Sequence, residues 1–391
     1  MTLEEIRREI DEIDSQLLPL FLRRMKCAEQ VAAVKKEKGL PVRSEERERQ
    51  ILDKIAAKAG GYGGEARILY SNMIAMSCAV QHRLLGDGTA LREEVQAAPS
   101  TPPNAGTVAC LGRKGSFSHE ALLQLYPQAK PLFFPDFPAI FEAVASGAAD
   151  LAVLPVENSS AGSVNEVYDL ILKYRFSILG ALSLPIRHCL ASSEVSIENI
   201  RTVYSHPQPL RQCSVFLSKY SWKTKPFSST ADAAEQAKKP GNGAVCSAHT
   251  AQKCGLNILA EDIQNVSGNQ TRFIVIGRQM ILPPDADKIS LCFALPHRTG
   301  TLYSVLARFA AVGLNLTKIE SRPIPEKNFE YDFYLDFTGN VRDSRTLDLL
   351  CALSDELPRF SFLGNYSQAQ PVSPQQANAA RRCGIHTPSN H

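Results

Sequence analysis

The sequence predicts a multidomain chain with an all-α segment first, an α/β segment in the middle and a small βαββαβ, ferredoxin-like unit towards the end. Three observations carry that expectation. Residues 1–86 space their apolar side chains by three and four and hold few strand formers. Residues 107–282 alternate short apolar runs, such as Leu151–Val156 and Arg272–Ile276, with helical patterns. Residues 288–366 read strand, helix, strand, strand, helix, strand.

A chain of 391 residues exceeds a single core, so the expected division is a helical domain at 1–90, a linker at 91–106, an α/β domain at 107–282, a small domain at 283–366 and a disordered tail at 367–391. Pro, Ala and Ser mark the linker, and Gln, Pro, Asn and Ser the tail. No apolar run approaches the ~20 residues that span a bilayer. The charged stretch Met1–Arg24 has no signal-peptide core, so the expected location is the cytoplasm, with no membrane partner. Ten scattered cysteines without a CxxC pair imply reduced thiols and no metal site. A net charge of +3 gives no case for a nucleic-acid partner. No GxGxxG follows the first strand, and no cofactor is expected.

In the first segment Ile6, Ile10, Ile13, Leu17, Leu20, Cys27, Val31 and Val34 form a stripe on one long helix from Leu3 to about Lys38. At ~1.5 Å per residue that helix is ~54 Å long, more than two further helices can cover, so a second copy is expected to pack on it. Pro19 should bend it, at up to ~3 kcal/mol. Arg24 interrupts the stripe, and a buried guanidinium calls for an anion. Ser77 and Gln81 likewise interrupt the apolar face of a later helix, while Ser44 and the acids after it mark a helix start. Singly these are structural polar groups; together they suggest a pocket for a small dianion.

The pattern over 3–86 resembles the all-helical, dimeric chorismate mutase domain. The resemblance implies an active site of Arg7, Arg24, Lys35, Ser44, Arg47, Glu48, Ser77 and Gln81, with Arg7 supplied by the partner subunit. The implied reaction, chorismate to prephenate, needs no nucleophile. Arginines clamp two carboxylates, Lys35 and Gln81 meet charge growing on the ether oxygen, and Glu48 accepts from the ring hydroxyl. Ser44 stands where the family commonly carries aspartate.

Four polar motifs follow apolar runs in the middle segment: Gly112-Arg113-Lys114-Gly115-Ser116, Glu157-Asn158-Ser159-Ser160, Ser205-His206-Pro207-Gln208 and Asn269-Gln270-Thr271-Arg272-Phe273. They read as polar loops leading to helix starts, where α/β folds bind anions. The spacing of the first is not that of a P-loop, and Ser159 lacks a GxSxG elbow.

Together they resemble prephenate dehydratase, whose fold is a two-lobed, periplasmic-binding-protein-like α/β domain with the site in the interlobe cleft. Lobe one is expected near 107–183 with a return at 268–282, and lobe two near 184–267. The resemblance implies conversion of prephenate to phenylpyruvate. Thr271 is the essential hydroxyl, donating to the leaving oxygen, and Ser116, Glu157, Asn158, Ser159, Ser160, Ser205, Gln208 and Arg272 bind substrate. Glu157 qualifies as a proton donor only if buried, and His206 as a catalytic or a structural loop histidine. Arg113 replaces the usual proline.

In the last segment His297-Arg298-Thr299-Gly300-Thr301-Leu302, Asn315-Leu316-Thr317 and Glu320-Ser321-Arg322-Pro323 resemble the ACT domain of phenylalanine-sensitive dehydratases. The implied effector site comprises Gly300, Thr301, Leu302, Asn315, Glu320, Ser321 and Arg322, with phenylalanine held between two such domains of a homodimer or larger homo-oligomer. The resulting expectation is a bifunctional enzyme of phenylalanine biosynthesis with chorismate and prephenate as substrates and feedback inhibition by phenylalanine. Two alternatives stand beside it: a dehydratase that uses the helical domain only to dimerise, and an amino-acid sensor with decayed catalytic domains.

Overall fold

The computed structural model describes residues 1–85, 89–101, 105–295, 300–324 and 330–369. Helices α1 (Leu3–Lys38), α2 (Glu45–Lys58), α3 (Gly63–Leu85) and α4 (Thr89–Ala97) come first. There follow β1 (Thr107–Leu111), α5 (Phe117–Leu125), β2 (Lys130–Phe134), α6 (Phe137–Ser146), β3 (Leu151–Asn158), β4 (Gly162–Ser163), α7 (Asn165–Tyr174) and β5 (Ser177–Pro185). Next are β6 (Cys189–Ser192), β7 (Thr202–Ser205), α8 (Pro207–Gln212), α9 (Ser214–Leu217), β8 (Lys223–Pro226), α10 (Thr230–Gln236), β9 (Asn242–Cys246), α11 (Ala248–Cys254), β10 (Asn257–Ala260) and β11 (Gln270–Gly277). The chain ends with β12 (Lys288–Leu295), α12 (Thr301–Ala311), β13 (Leu316–Pro323), β14 (Tyr331–Thr338), α13 (Ser344–Glu356), β15 (Ser361–Tyr366) and β16 (Gln368–Ala369).

Among the described residues two compact units result: residues 1–98 with 288–362, and residues 99–287 with 363–369. In the first, α1 opens on a capping box. Thr2 Oγ1 accepts from Glu5 N at 3.2 Å and Glu5 Oε2 accepts from Thr2 N at 2.7 Å. It closes on Gly39, whose φ of 60° is the left-handed turn that ends a helix. The helix continues through Pro19, whose missing N–H falls opposite the Ser15 carbonyl. Its apolar stripe is open along the first half: Ile10, Ile13, Leu17 and Leu20 are 50–60% exposed. The helical segment's own core is the small cluster Val42, Ile74 and Cys78.

The expected linker is partly helical. Residues 91–97 complete α4, because the run Leu-Arg-Glu-Glu-Val-Gln-Ala favours helix and Leu91 is buried; Pro99 follows its end. Arg92 Nη2 on this helix bonds Asp348 Oδ1 of α13 at 2.6 Å. Within the same unit, the C-terminal segment pairs β14 antiparallel with both β13 and β12. Strand β12 is buried almost throughout, and Val305 and Phe309 of α12 and Leu350 and Leu353 of α13 are buried with it.

The second unit holds two sheets. The first runs β16-β5-β11-β3-β1-β2, with β4 paired to β3; the second runs β10-β6-β9-β7-β8. The chain leaves the first sheet after β5 and returns as β11, antiparallel to both β5 and β3. Ile186 N donates to Asn269 O at 2.8 Å, which ties the outgoing and returning connections together. Two expectations need correction here. Thr271 sits with Arg272 on strand β11, not on a loop leading to a helix, because the continuous apolar run Phe273–Ile276 makes a buried strand that pairs on both edges. The tail does not begin at 367, since β16 adds in parallel to β5; residues 370–391 lie outside the described residues.

Candidate active sites

The sheet geometry sets the first site. In the β11–β3 register Thr271 faces Asn158 and Arg272 faces Glu157. The Asn158 Oδ1 atom accepts the backbone N–H groups of Ser160 and Ala161, both at 3.0 Å, which fixes the orientation of the amide. Its Nδ2 therefore turns inward and donates to Thr271 Oγ1 and Asn269 Oδ1, each at 2.9 Å. With its oxygen accepting, the Thr271 hydroxyl keeps its proton for another acceptor. Ser159 and Ser160 hydroxyls also reach Asn269 Oδ1, at 3.3 and 3.2 Å. Asn269 is thus the hub of the cluster, 4% exposed. The motif Asn269-Gln270-Thr271-Arg272-Phe273 contains it without marking a role; its position two residues before Thr271, on the connection into the strand, is the available signal.

Arg272 is nearly buried and its Nη1 lies 4.0 Å from Glu157 Oε2. The burial required of Glu157 as a proton donor is not met, because its side chain is 39% exposed. The neighbouring Gly112–Ser116 turn is held by three groups. Ser116 caps α5 by accepting from His119 N at 3.2 Å, His119 Nδ1 accepts from Gly115 N at 3.1 Å, and Thr250 of α11 donates to Gly115 O at 2.5 Å. Gly115, at a φ of 97°, takes a conformation that side chains rarely adopt. Burial, with Lys253, His249 and Lys114 nearby, lowers the His119 imidazole to about 4, so it is neutral and can accept. Arg113 pairs with Asp232 of α10 at 2.6 Å, so α10 and α11 both reach this turn.

On the second sheet Ser205 is buried, and its hydroxyl donates to Val245 O at 2.7 Å; that proton is committed to the sheet. Gln208 is half-buried at the start of α8. His206 caps that helix, its Nδ1 accepting from Gln208 N at 3.3 Å, which is the structural role.

The second site lies among the first three helices. An open cavity of about 300 Å³ is lined by Arg24 and Lys35 of α1, Ser44, Arg47 and Glu48 at the start of α2, and Ser77 and Gln81 of α3, with apolar Val31, Ile51 and Ile74 between them. Seven of the eight sequence-assigned residues meet there; Arg7 does not line it and is exposed on α1. Arg24 Nη1 donates to Ser77 Oγ at 2.6 Å and Met73 O at 2.9 Å, and Lys35 Nζ bonds Val42 O. Gln81 Nε2 donates to Ser77 O at 3.2 Å. Ser44 stands at the cap position of α2 but makes no side-chain cap bond, so its hydroxyl is not spent on the helix. Among the described lining residues, three cations against one carboxylate leave a local excess of two positive charges, the complement of a dianion.

The residues assigned to an effector are placed on two elements. Gly300, at a φ of 85°, caps α12, and Thr301 and Leu302 open it. Asn315 precedes β13, and Glu320, Ser321 and Arg322 lie on it, at the edge of its sheet. Glu320 and Arg322 share one face with Lys318, whose Nζ is 3.3 Å from Glu320 Oε2; Ser321 takes the other face. His297, Arg298 and Thr299 of the first motif lie outside the described residues.

A cationic helical cavity and a buried hydroxyl–amide cluster on a two-sheet α/β body define an enzyme with two separate sites. Residues 6–82 match the family model of chorismate mutase type II, and residues 108–281 that of prephenate dehydratase. The bifunctional chorismate mutase/prephenate dehydratase of Aquifex aeolicus is 34% identical over 377 residues, 94% of this chain and 98% of that one. That of Escherichia coli K12 is 34% identical over 385 residues, 94% and 97% respectively. Among solved structures, prephenate dehydratase from Arthrobacter aurescens in complex with L-Phe is 32% identical with a TM-score of 0.62, covering 71% of this chain and 96% of that one. The chain belongs to the bifunctional chorismate mutase/prephenate dehydratase family. It carries an isomerase domain followed by a lyase domain of phenylalanine biosynthesis.

Proposed function

We propose that the α1–α3 cavity converts chorismate to prephenate and that the Asn158–Thr271 cluster converts prephenate to phenylpyruvate. The observation that carries the first step is the convergence of Arg24, Lys35 and Arg47 on one cavity. Chorismate is a dianion with a flexible enolpyruvyl arm. Two carboxylates clamped by guanidinium groups hold that arm over the ring, and the rearrangement then needs only electrostatic help at the ether oxygen from Lys35 and Gln81. Ser44 and Glu48 take the ring hydroxyl.

For the second step, the ring carboxylate leaves as carbon dioxide, and the electron pair of its broken C–C bond closes the aromatic ring. The ring hydroxyl departs as water, with the Thr271 hydroxyl donating to that oxygen. Asn158 fixes its direction, and Ser159, Ser160 and Gln208 orient the substrate. Arg272 neutralises a carboxylate, and Ser116 acts through the α5 N-terminus. Ser205 supports the wall of the site from within its sheet. Turnover of both substrates by Thr271→Ala and Arg24→Ala variants tests the pair of assignments. Each substitution should silence one reaction and spare the other.

The segment 288–366 is read as a ferredoxin-like ACT domain that binds phenylalanine at Gly300, Thr301, Leu302, Asn315, Glu320, Ser321 and Arg322. The edge position of β13 suits a ligand shared with a second copy. The open apolar stripe of α1 supports a homodimer in which the partner's α1 covers it and brings Arg7 to the cavity. Titration of L-phenylalanine against prephenate turnover tests the effector assignment.

A further inference from the structure

The helical cavity and the C-terminal segment of the same unit are joined by a chain of charges. Arg43, which leads into α2, places its Nε 3.6 Å from Glu48 Oε1 and 3.9 Å from Glu356 Oε2. Glu48 lines the cavity. Glu356 ends α13 and is 3% exposed; its carboxylate also meets His82 Nε2 of α3 at 3.0 Å and Arg308 Nη1 of α12 at 2.8 Å. A carboxylate buried among side chains from three elements has little freedom to turn. The Arg43 side chain is 42% exposed, and its guanidinium stands between the Glu48 and Glu356 carboxylates, with the Cys78 thiol also bonded to it. Arg92 to Asp348 at 2.6 Å and Asn72 Nδ2 to Tyr303 Oη at 3.3 Å also hold the C-terminal segment on the helical one.

We infer that Arg43 is a positioning residue for the mutase reaction. It aims the Glu48 carboxylate into the cavity, and Glu356 holds it there, so the C-terminal domain is part of the mutase site's support. The inference rests on the mutase reading of the cavity and on Glu48 meeting the substrate hydroxyl. A carboxylate that binds a hydroxyl must present one oxygen at hydrogen-bonding distance, and a cation on its other side selects that rotamer. Loss of the cation should therefore slow the bound substrate more than it weakens binding.

The test is steady-state chorismate turnover by the full chain carrying Arg43→Gln, Arg43→Lys, Glu356→Gln and Glu48→Gln, alone and combined. The expected result is a loss of about tenfold in kcat for Arg43→Gln with KM moved less than about twofold, and recovery to within about threefold of the parent in Arg43→Lys. Adding Arg43→Gln to Glu48→Gln should cause no further loss, because both act through one carboxylate. Glu356→Gln should resemble Arg43→Gln, and Arg43, being partly exposed, keeps the test independent of whether that variant folds. An unchanged kcat in Arg43→Gln, or a full multiplicative loss on top of Glu48→Gln, overturns the inference. A parent chain that fails to turn over chorismate overturns the mutase reading instead.

Discussion

The Asn158 amide nitrogen donates to Thr271 Oγ1 at 2.9 Å across a cross-strand register pair. The direction of that bond matters more than its length. Because the Asn158 carbonyl oxygen is held by two backbone N–H groups, the amide cannot flip to accept from Thr271, and the threonine proton points elsewhere. An alcohol is a weak acid, but a donor held in place gains most where the leaving oxygen gathers charge.

Asn158→Ala should therefore lower prephenate turnover by ~10²-fold while Thr271 is still present, since loss of one aligned donor costs about that much. Thr271→Ser should stay within about tenfold of the parent, because it keeps the hydroxyl. Steady-state assay of phenylpyruvate formation checks both. Equal losses in Thr271→Ser and Thr271→Ala would assign the residue to packing.

Arg24 donates to Ser77 and to the Met73 carbonyl, which spans α1 and α3. Arg24→Ala should lower chorismate turnover by at least ~10²-fold, and Arg24→Lys should recover little, because a point charge cannot reproduce the fork. Prephenate turnover in the same samples should hold. A parental chorismate rate in Arg24→Ala would reduce the helical segment to a dimerisation device.

The exposed stripe Ile10, Ile13 and Leu17 predicts the assembly. The pair Ile13→Glu and Leu17→Glu should convert a dimer or larger oligomer into a smaller species by sedimentation. Mutase activity should fall with it, because Arg7 no longer arrives from a partner. Unchanged sedimentation would place the dimer contact elsewhere.

His119 gives a pH prediction. Its imidazole, lowered to about 4, is neutral in the folded protein, whereas in the unfolded chain it titrates near ~6.5. The unfolded state therefore binds the extra proton between those values. The contribution of His119 is complete above the unfolded value, falls as pH drops, and is lost below the folded one. Denaturant midpoints from pH 7.5 to 4.5 should fall less steeply in His119→Gln than in the parent. Parallel slopes would sink the prediction.

Much of this was legible in the sequence because charge on an apolar helical face is a strong signal. Arg24, Ser77 and Gln81 stood out against a three-four pattern, Lys35 was implied only by the family resemblance, and the structure brings all four to one cavity. The Asn158 and Thr271 motifs were legible as chemistry, but not as one cross-strand pair. Pairing depends on register between segments more than 100 residues apart, which no local pattern encodes. Asn269 was passed over because a buried asparagine looks like a turn residue until three donors are seen to converge on it. Arg43 and Glu356 were missed for the same reason, since each is an ordinary surface charge until tertiary packing joins α2 and α13. Residues 91–97 read as linker beside the Pro and Ser that follow, yet they favour helix and bury Leu91.

The most direct measurement is product analysis of purified full-length Thr271→Ala supplied with chorismate alone. Two separate sites on one chain predict that chorismate is consumed at the parental rate and prephenate accumulates, with phenylpyruvate down by at least ~10²-fold. Phenylpyruvate appearing at the parental rate, or chorismate left unconsumed, would contradict the account.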